Sequence, residues 1–567
     1  MIVEVEKKTL RCLMERSFRL YANLPSLSHV GDLPITYQQL QEKIADLAVT
    51  LLSRNISPGD RIAILGENSP NWVISYMATV CIGAVAVPIL PGFPETVTRH
   101  ILRTSGAVVL FVSQKQRSKV EDLDKASLRS LFDLEDLQEE VLEKSGSNPV
   151  EKVQQKWKKR RGVSPTSWEI LEEFPSPNPE DLASIIYTSG TSGQSKGVML
   201  SHSNITNDVI FSIERFPIDH RDRFLSILPL SHTYEATGGL LSPLAVGSSL
   251  VYLKGLPTPQ NLLTSMETAR PTAVLMVPLI LDKIFRRRIL PQINSKPVIR
   301  SLYKLPYVRK KLHKLAGKKL IKSFGGRLRF FMFGGASLNK DVEIFLKDAE
   351  ISYATGYGMT ETSPIMTISP FGKIRFGSCG KPIPGIDLAI HNPNPRTGVG
   401  EIIVRGPTVM QGYYKNPEAT QEIFLQDGWL KTGDLGCFDN EGYLYIKGRS
   451  KNVIVGPSGE NIYPEMIEQL LLQNKYIQEA IVYEEADRLI AKAYLDYDEL
   501  DKEFRRNKLN DAESEKLTHV LLEAARQEVN KELPGFSHIA KIVEHPEPFD
   551  KTPTNKIKRY LYVPSRN

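Results

Sequence analysis

Apolar and polar positions alternate along this chain in two rhythms. Between about 35 and 110 they switch between helical and strand spacing. ITYQQLQEKIADLAVTLLSR places its apolar residues three and four apart, as a helix with one buried face does, and Thr36 stands at its entry as an N-cap. RIAILGEN is a short apolar run closed by a turn, the pattern of a buried strand. Trp72 to Pro91 holds 20 residues and no charge, long enough to cross a membrane. Gly83 and the run AVAVP instead predict a buried helix, a break, and a buried strand closed by Pro88. Residues 114–178, with KSGSNP and KKRRG inside, are polar and predict an insertion with helices and no core element. A second α/β series runs from about 181 to 370. After Cys379 the pattern changes to short strands with turns, and 452–567 has helices (PEMIEQLLLQ, EKLTHVLLEAARQEVNKEL) and strands (EAIVYE, AKAYLDY) of its own. The fold class expected is α/β multidomain: a large N-terminal α/β body, a β-rich subdomain near 380–450, and a small C-terminal α+β domain.

Length and composition add bounds. The 567 residues suggest three or four folding units, and 41% hydrophobic with 24% charged is the balance of a globular enzyme. Cys12, Cys81, Cys379 and Cys437 are scattered, with no metal-knuckle or redox-pair spacing, which fits a reducing cytoplasm. The N-terminus, MIVEVEKKTLRCLMERS, mixes charges and lacks the apolar core and cleavage site of a signal peptide. The net charge of +7 is concentrated: Lys283 to Arg329 carries 16 Lys or Arg and no Asp or Glu. A charge run is usually a solvated helical face. Here Leu305, Val308, Leu312, Leu315 and Leu320 interleave at roughly helical spacing, so the run is also a candidate for peripheral contact with an anionic membrane. It lacks an aromatic stacking array and a reading motif, so no nucleic acid partner is expected.

The chemistry concentrates in SIIYTSGTSGQSKG, Ser184 to Gly197. An apolar strand enters a loop rich in hydroxyls and glycines, and a lysine follows. Glycines let backbone N–H groups approach an anion, and such a concave run with a lysine makes a polyphosphate cradle. The spacing is not that of a Walker A loop.

This loop resembles the signature of the adenylate-forming (AMP-binding) superfamily, which includes acyl-CoA synthetases, luciferases and peptide-synthetase adenylation domains. The resemblance continues in order through GGASL, GYGMTET, GWLKTGDLG, GRSKNVIV, GENIYPEMIE and KTPTNKIKR, spanning about 30–565. It implies an AMP-binding N-terminal domain over 1–450 and a mobile C-terminal domain over 451–567, with a hinge near Lys451. It implies that Thr188, Ser189, Gly190, Thr191 and Lys196 cradle the β- and γ-phosphates of ATP. Gly335 and Ala336 would form the adenine wall and Tyr357 its stacking partner. Thr360 would bond the α-phosphate and Glu361 hold Mg2+, a hard cation that takes carboxylate oxygen. Asp434 would accept the ribose hydroxyls and Arg449 add a ribose or phosphate contact. Lys556 would be the catalytic lysine of adenylation, where positive charge must meet developing negative charge. The family's glycine before that lysine is Asn555 here, which tolerates the same left-handed backbone, and Lys558 is the rival. Gly459 would line the coenzyme A channel.

LPLSHTYEATGG resembles a segment of long-chain fatty acyl-CoA synthetases, and His232 in it matches a residue that gates the acyl pocket; a histidine there is as readily structural. The activity implied is that of a long-chain-fatty-acid–CoA ligase: ATP, a fatty acid and coenzyme A give acyl-CoA, AMP and pyrophosphate. The expected location is cytoplasmic, with peripheral membrane contact through 283–329. An acyl carrier protein as acceptor stays open, since an acidic carrier also suits the basic run. A luciferase-like oxygenase shares the nucleotide motifs, and a non-catalytic nucleotide- or lipid-binding adaptor is the rival of another class.

Overall fold

The structure is a computed structural model that describes residues 3–122, 128–142, 148–161, 164–188, 195–255, 258–293, 297–456, 460–507, 509–552 and 556–564. The chain divides into two compact units, Met1–Leu388 with Val404–Leu430, and Ala389–Ile403 with Lys431–Asn567. Among the described residues the strands gather into sheets of nine, eight, four, three and two.

The first unit holds the two large sheets. In the eight-stranded one, Leu182–Thr188, Val85–Ile89, Arg61–Leu65, Val109–Val112 and Ser130–Asp133 run parallel. They read as continuous apolar runs because helices cover a parallel sheet on both faces. The edge beyond Leu182–Thr188 turns antiparallel through Lys196–Ser201 and Gly412–Tyr413. In the nine-stranded sheet, Pro25–His29, Ser249–Tyr252, Arg223–Ser226, Ala273–Met276, Phe330–Phe333 and Ser352–Gly358 run parallel. Ile365–Ile368 then continues antiparallel.

Local chemistry explains where helices begin. Helix Tyr37–Ser53 starts with a reciprocal capping box: the Thr36 side chain accepts from the Gln39 N–H, and the Gln39 side chain accepts from the Thr36 N–H. Helix Pro70–Cys81 starts with Ser69 accepting from the Trp72 N–H and Pro70 in the first turn. The charge-free stretch is thus a buried helix, the left-handed Gly83 (φ +75°) and the strand Val85–Ile89. No helix among the described residues is long and apolar enough to cross a membrane. The strand does not stop at Pro88: it runs on to Ile89, with Ile64 opposite Pro88. The proline's fixed φ is compatible with extended backbone, so it removes one donor without redirecting the strand.

A second expectation fails more usefully. Residues 114–178 are not merely an insertion, because Ser130–Asp133 extends the parallel sheet beside Val109–Val112 and Glu139–Val141 closes its edge. Phe132 stacks on Phe111 with ring centroids 4.7 Å apart, and both are fully buried. A four-residue strand between charged segments is too short for periodicity to reveal.

The basic segment folds mainly as the helices Pro278–Ile284, Pro297–Leu302 and Pro306–Ser323. Its apolar stripe splits. Leu312 and Leu320 pack into the core, whereas Leu305 and Leu315 are exposed together with Tyr307. His313 is buried beneath the helix, its Nδ1 2.9 Å from Asp348 and its Nε2 2.7 Å from the Tyr303 hydroxyl.

The second unit has a four-stranded sheet of Asp387–His391, Gly400–Arg405, Leu430–Phe438 and Leu444–Arg449. It also has the hairpin Ile477–Glu485 and Arg488–Leu495, with Ile539–Glu544 parallel to the second strand. Helices Pro464–Leu471 and Asp511–Glu532 cover this sheet through Ile467, Leu471, Leu522 and Val529.

Phe132 tests whether the short strand belongs to the core. Truncation of a buried aromatic costs about 3–5 kcal/mol, so Phe132→Ala is expected to lower the urea midpoint of the first unit's transition by a corresponding amount. Substitution at exposed Leu305 is expected to leave that midpoint in place.

Candidate functional site

Most described candidate residues of the first unit lie at or just beyond the carboxyl ends of strands, where ligands bind in open α/β sheets; Lys196 instead begins one. Thr188 ends its strand and pairs with Lys196 across the hairpin. Both are half-buried. Ser189, Gly190 and Thr191 lie outside the described residues. After the loop, Gly197 leaves no room for a side chain, since a Cβ there would sit 2.9 Å from Ile185 Cγ2.

GYGMTET forms the end of strand Ser352–Gly358 and a single turn over Thr360–Thr362. The chain folds back so tightly that a Cβ on Gly358 would lie 1.8 Å from the Pro364 carbonyl oxygen. The turn is fixed by the Thr362 hydroxyl, which donates to the Pro364 carbonyl at 2.8 Å. Tyr357 and Thr360 are half-buried and Glu361 is 8% exposed. Glu361 Oε1 accepts from the Tyr413 hydroxyl at 2.8 Å, and its carbonyl accepts from the Met410 N–H at 2.9 Å. Lys196 Nζ lies 5.0 Å from the centroid of the same Tyr413 ring. Burial first, and then the neighbouring Glu361 carboxylate, hold the Tyr413 hydroxyl well above its usual pKa, so it remains a donor. Sequence reasoning missed Tyr413. Its one signal was an aromatic in a two-residue strand within GYYKN, which says nothing of what it would touch.

Gly335 and Ala336 follow strand Phe330–Phe333 and are exposed, Gly335 at φ +82°. The segment bearing His232 passes beside this turn, for a Cβ on Gly334 would meet the Tyr234 ring at 2.9 Å. His232 is half-buried and its Nδ1 accepts from the Tyr234 N–H at 3.2 Å, which ties the ring to its own turn. Next along, Glu235 is 1% exposed and opens a π-helical turn, Glu235–Leu241. Ser226 Oγ donates to its Oε1 at 2.5 Å, and among the described residues Oε2 has no partner. Gly239 makes room for it: a Cβ there would come 2.6 Å from the carboxyl group. Burial, only partly offset by Ser226, pushes the Glu235 pKa up to about 8. This is a neutral carboxylic acid at pH 7, which sequence reasoning also passed over.

In the second unit, Asp434 and Arg449 face each other across the pair Leu430–Phe438 and Leu444–Arg449. Arg449 Nε lies 2.8 Å from Asp434 Oδ1. Thr432 Oγ1 accepts from the Asp434 N–H at 3.1 Å and donates to the Ile402 carbonyl at 2.8 Å, fixing the carboxylate's backbone. Lys451 is exposed on the turn Ser450–Asn452. Gly459 and Asn555 lie outside the described residues.

Lys556 is exposed on a strongly anchored segment. Its carbonyl accepts from the Thr552 N–H at 2.8 Å and its N–H donates to Thr552 Oγ1 at 3.2 Å. Lys551 bridges Ile557 in backbone pairing and forms an ion pair with Glu479. On the far side, Arg559 pairs with buried Glu468 and donates to the Val482 carbonyl at 2.7 Å. Lys558 is half-buried, and its N–H is bonded to the Asp550 carbonyl.

The donor set suits Mg2+ on a polyphosphate better than a resident metal. No group of three metal-binding side chains converges among the described residues. Mg2+ takes one or two carboxylates and completes its shell with phosphate oxygens and water. Glu361 fits that demand, since among the described residues no donor reaches its Oε2.

A model of the AMP-binding enzyme family matches residues 15–414, and the chain belongs to that family. It is 31% identical to long-chain-fatty-acid–CoA ligase FadD15 of Mycobacterium bovis, over 80% of this chain and 76% of the relative. It is 28% identical to human long-chain-fatty-acid–CoA ligase 1, over 96% and 83%. Two solved structures share its fold. The anthranilate CoA ligase AuaEII, in complex with anthranoyl-AMP, has TM-score 0.76 and 21% identity over 98% of this chain and 96% of its own. ATP-bound MatB from Rhodopseudomonas palustris has TM-score 0.73 and 22% identity over 98% of each chain.

Glu235 makes stability pH-dependent with a definite sign. Its pKa rises on folding from 4.5 to about 8, so the neutral form is preferred by the fold and its contribution is lost as pH climbs through that window. Wild-type stability relative to Glu235→Gln is expected to be constant below about pH 4.5. Above it the difference falls by at most about 1.4 kcal/mol per pH unit, levelling off above about pH 8. Paired denaturation curves from pH 4 to 9 measure it, and a flat difference would refute the neutral acid.

Proposed function

We propose that this chain activates a long-chain fatty acid with ATP and transfers the acyl group to coenzyme A. The carboxylate attacks the α-phosphate, pyrophosphate leaves, and the acyl-adenylate then yields acyl-CoA and AMP to the thiol. One observation carries this reading: Lys196 and Glu361, which the sequence separates, are held on one tyrosine that pairs with the strand after the motif. A triphosphate needs a cation and a carboxylate that can share a divalent metal with it, and this arrangement supplies both. The relatives named as long-chain-fatty-acid–CoA ligases support the acid and the acceptor.

Within this reading Thr188, Ser189, Gly190, Thr191 and Lys196 bind the β- and γ-phosphates, and Thr360 bonds the α-phosphate. Glu361 would hold Mg2+ through its open oxygen, and the bound ion would neutralise phosphate charge. Gly335, Ala336 and Tyr357 enclose adenine. Asp434 accepts the ribose hydroxyls and Arg449, its ion-pair partner, orients it. Lys556 supplies positive charge during adenylation, and its anchored backbone lowers the cost of holding a long side chain in place. Lys451 is the pivot of the 451–567 domain, Gly459 lines the pantetheine path, and His232 gates the acyl pocket. Lys556→Ala is expected to slow acid-dependent pyrophosphate exchange by at least about 100-fold, while thioester formation from supplied acyl-adenylate persists. Equal loss in both half-reactions would remove Lys556 from this role. No exchange with any acid in the wild-type protein would favour the non-catalytic adaptor. Replacing coenzyme A by acyl carrier protein identifies the acceptor.

The basic segment fits a membrane surface from which the acid is drawn. Val298, Leu302, Leu305, Tyr307 and Leu315 are exposed among exposed Lys310, Lys311, Lys318 and Lys319. Arg309 and Lys314 are less suited to this contact because they pair with Asp348 and Glu350. A cation near an anionic surface contributes about 1 kcal/mol. Changing Lys310, Lys311, Lys318 and Lys319 to Glu is therefore expected to weaken binding to phosphatidylserine vesicles by at least about tenfold, with turnover of a short soluble acid preserved. Unchanged vesicle binding would end this part of the proposal.

A further inference from the structure

We infer that Tyr413 is a positioning residue of the nucleotide site: it holds the carboxylate of Glu361 in register for Mg2+ and the ammonium of Lys196 in register for phosphate. The inference rests on the ligase reading above and adds to it a residue that acts through Glu361 and Lys196. Its hydroxyl donates to Glu361 Oε1 at 2.8 Å, which among the described residues leaves Oε2 as the oxygen open to a cation. Its ring lies 5.0 Å from Lys196 Nζ, within the range of a cation–π contact. One side chain thus faces two groups that lie far apart along the chain.

Tyr413 is itself built in. Gly412 and Tyr413 pair antiparallel with Met199 and Val198, on the strand that begins with Lys196. The Tyr414 N–H donates to the Gly197 carbonyl at 2.7 Å, and the Tyr413 N–H donates to Thr420 Oγ1 at 2.9 Å. Gly412 sits at φ +140°, and a Cβ there would lie 2.9 Å from Thr420 Cγ2, so the approach needs glycine. From the other side the Met410 N–H bonds the carbonyl of Glu361. Residues 410–414 are therefore stapled both to the backbone of the candidate metal carboxylate and to the strand of the candidate phosphate lysine. Tyr413 is 6% exposed, and a residue that merely filled space would need its ring but not its hydroxyl. The hydroxyl and the ring do different work and can be removed separately.

Equilibrium binding of ATP by calorimetry, with and without Mg2+, separates the two contacts. In Tyr413→Phe the ring and its contact with Lys196 remain and the hydrogen bond is lost. Metal-free ATP affinity should be unchanged, while the gain in affinity on adding Mg2+ should shrink by about tenfold, the size of a lost hydrogen bond to a charged group. In Tyr413→Leu metal-free ATP should also bind more weakly, by about threefold. In a Glu361→Gln background the Tyr413→Phe effect should vanish, because the hydroxyl acts through that carboxylate. A Phe variant whose Mg2+ gain equals that of the wild type overturns the inference, and so does an equal loss with and without metal. If the wild-type protein binds no ATP and catalyses no acid-dependent pyrophosphate exchange, the ligase reading falls and this inference falls with it.

Discussion

The strand Lys196–Ser201 is the constraint on which the candidate site of the first unit depends. It is hydrogen-bonded antiparallel on both sides, to Leu182–Thr188 and to Gly412–Tyr413. The first pairing closes the motif loop at Thr188 and Lys196. The second brings residues 410–414 alongside, and with them the backbone and carboxylate of Glu361. Two alternating ladders fix register in steps of one residue, and a slip of one residue would turn each side chain to the opposite face. Gly197 and Gly412 let these ladders approach, since a Cβ at either would meet a neighbouring side chain at 2.9 Å.

Much of this was legible in the chain, for identifiable reasons. Helix starts were written in local chemistry, in Thr36 with Gln39 and in Ser69 with Pro70, because a cap needs only residues within one turn. The strands of the parallel sheet were written in apolar runs, because both of their faces are covered. What escaped lay in contacts between distant segments. Ser130–Asp133 carries too few residues to set a period, and its place follows only from Phe111, which Phe132 stacks upon. Tyr413 looked like any aromatic in a short strand, since its meaning comes from Glu361 and Lys196. The stripe of leucines in the basic helix gave the spacing correctly. It did not reveal that Leu320 would turn inward and Leu315 outward, because the neighbouring helices and the buried His313–Asp348 pair set that helix's rotation.

Carboxyl groups in the two units are accommodated in more than one way. In the first, Glu235 and Asp208 are fully enclosed, and burial raises the pKa of both. Each is tolerated because proton uptake is less costly than placing a carboxylate in a medium of low polarity. Glu361, in the same unit, is nearly as enclosed, and the Tyr413 hydroxyl donates to one of its oxygens. In the second unit Asp434 pairs with Arg449, Glu468 with Arg559, and Glu479 with Lys551. The last two pairs flank the segment bearing Lys556.

Those flanking pairs bear on why an exposed lysine is the reasonable candidate for a charge-sensitive step. A lysine side chain has many rotamers, and fixing them costs entropy at the moment of reaction. An enclosed lysine would escape that cost only by losing solvation, and burial would then favour its neutral form. The segment around Lys556 takes a third course. Its backbone is locked on both sides by Thr552 and by the Lys551–Ile557 bridge. The pairs at Glu479 and Glu468 tie that locked backbone to the strand Ile477–Glu485 and the helix Pro464–Leu471. Lys556 itself is exposed, and the order around it is supplied by the backbone. Rigidity is thus placed in the main chain and not in burial of the side chain.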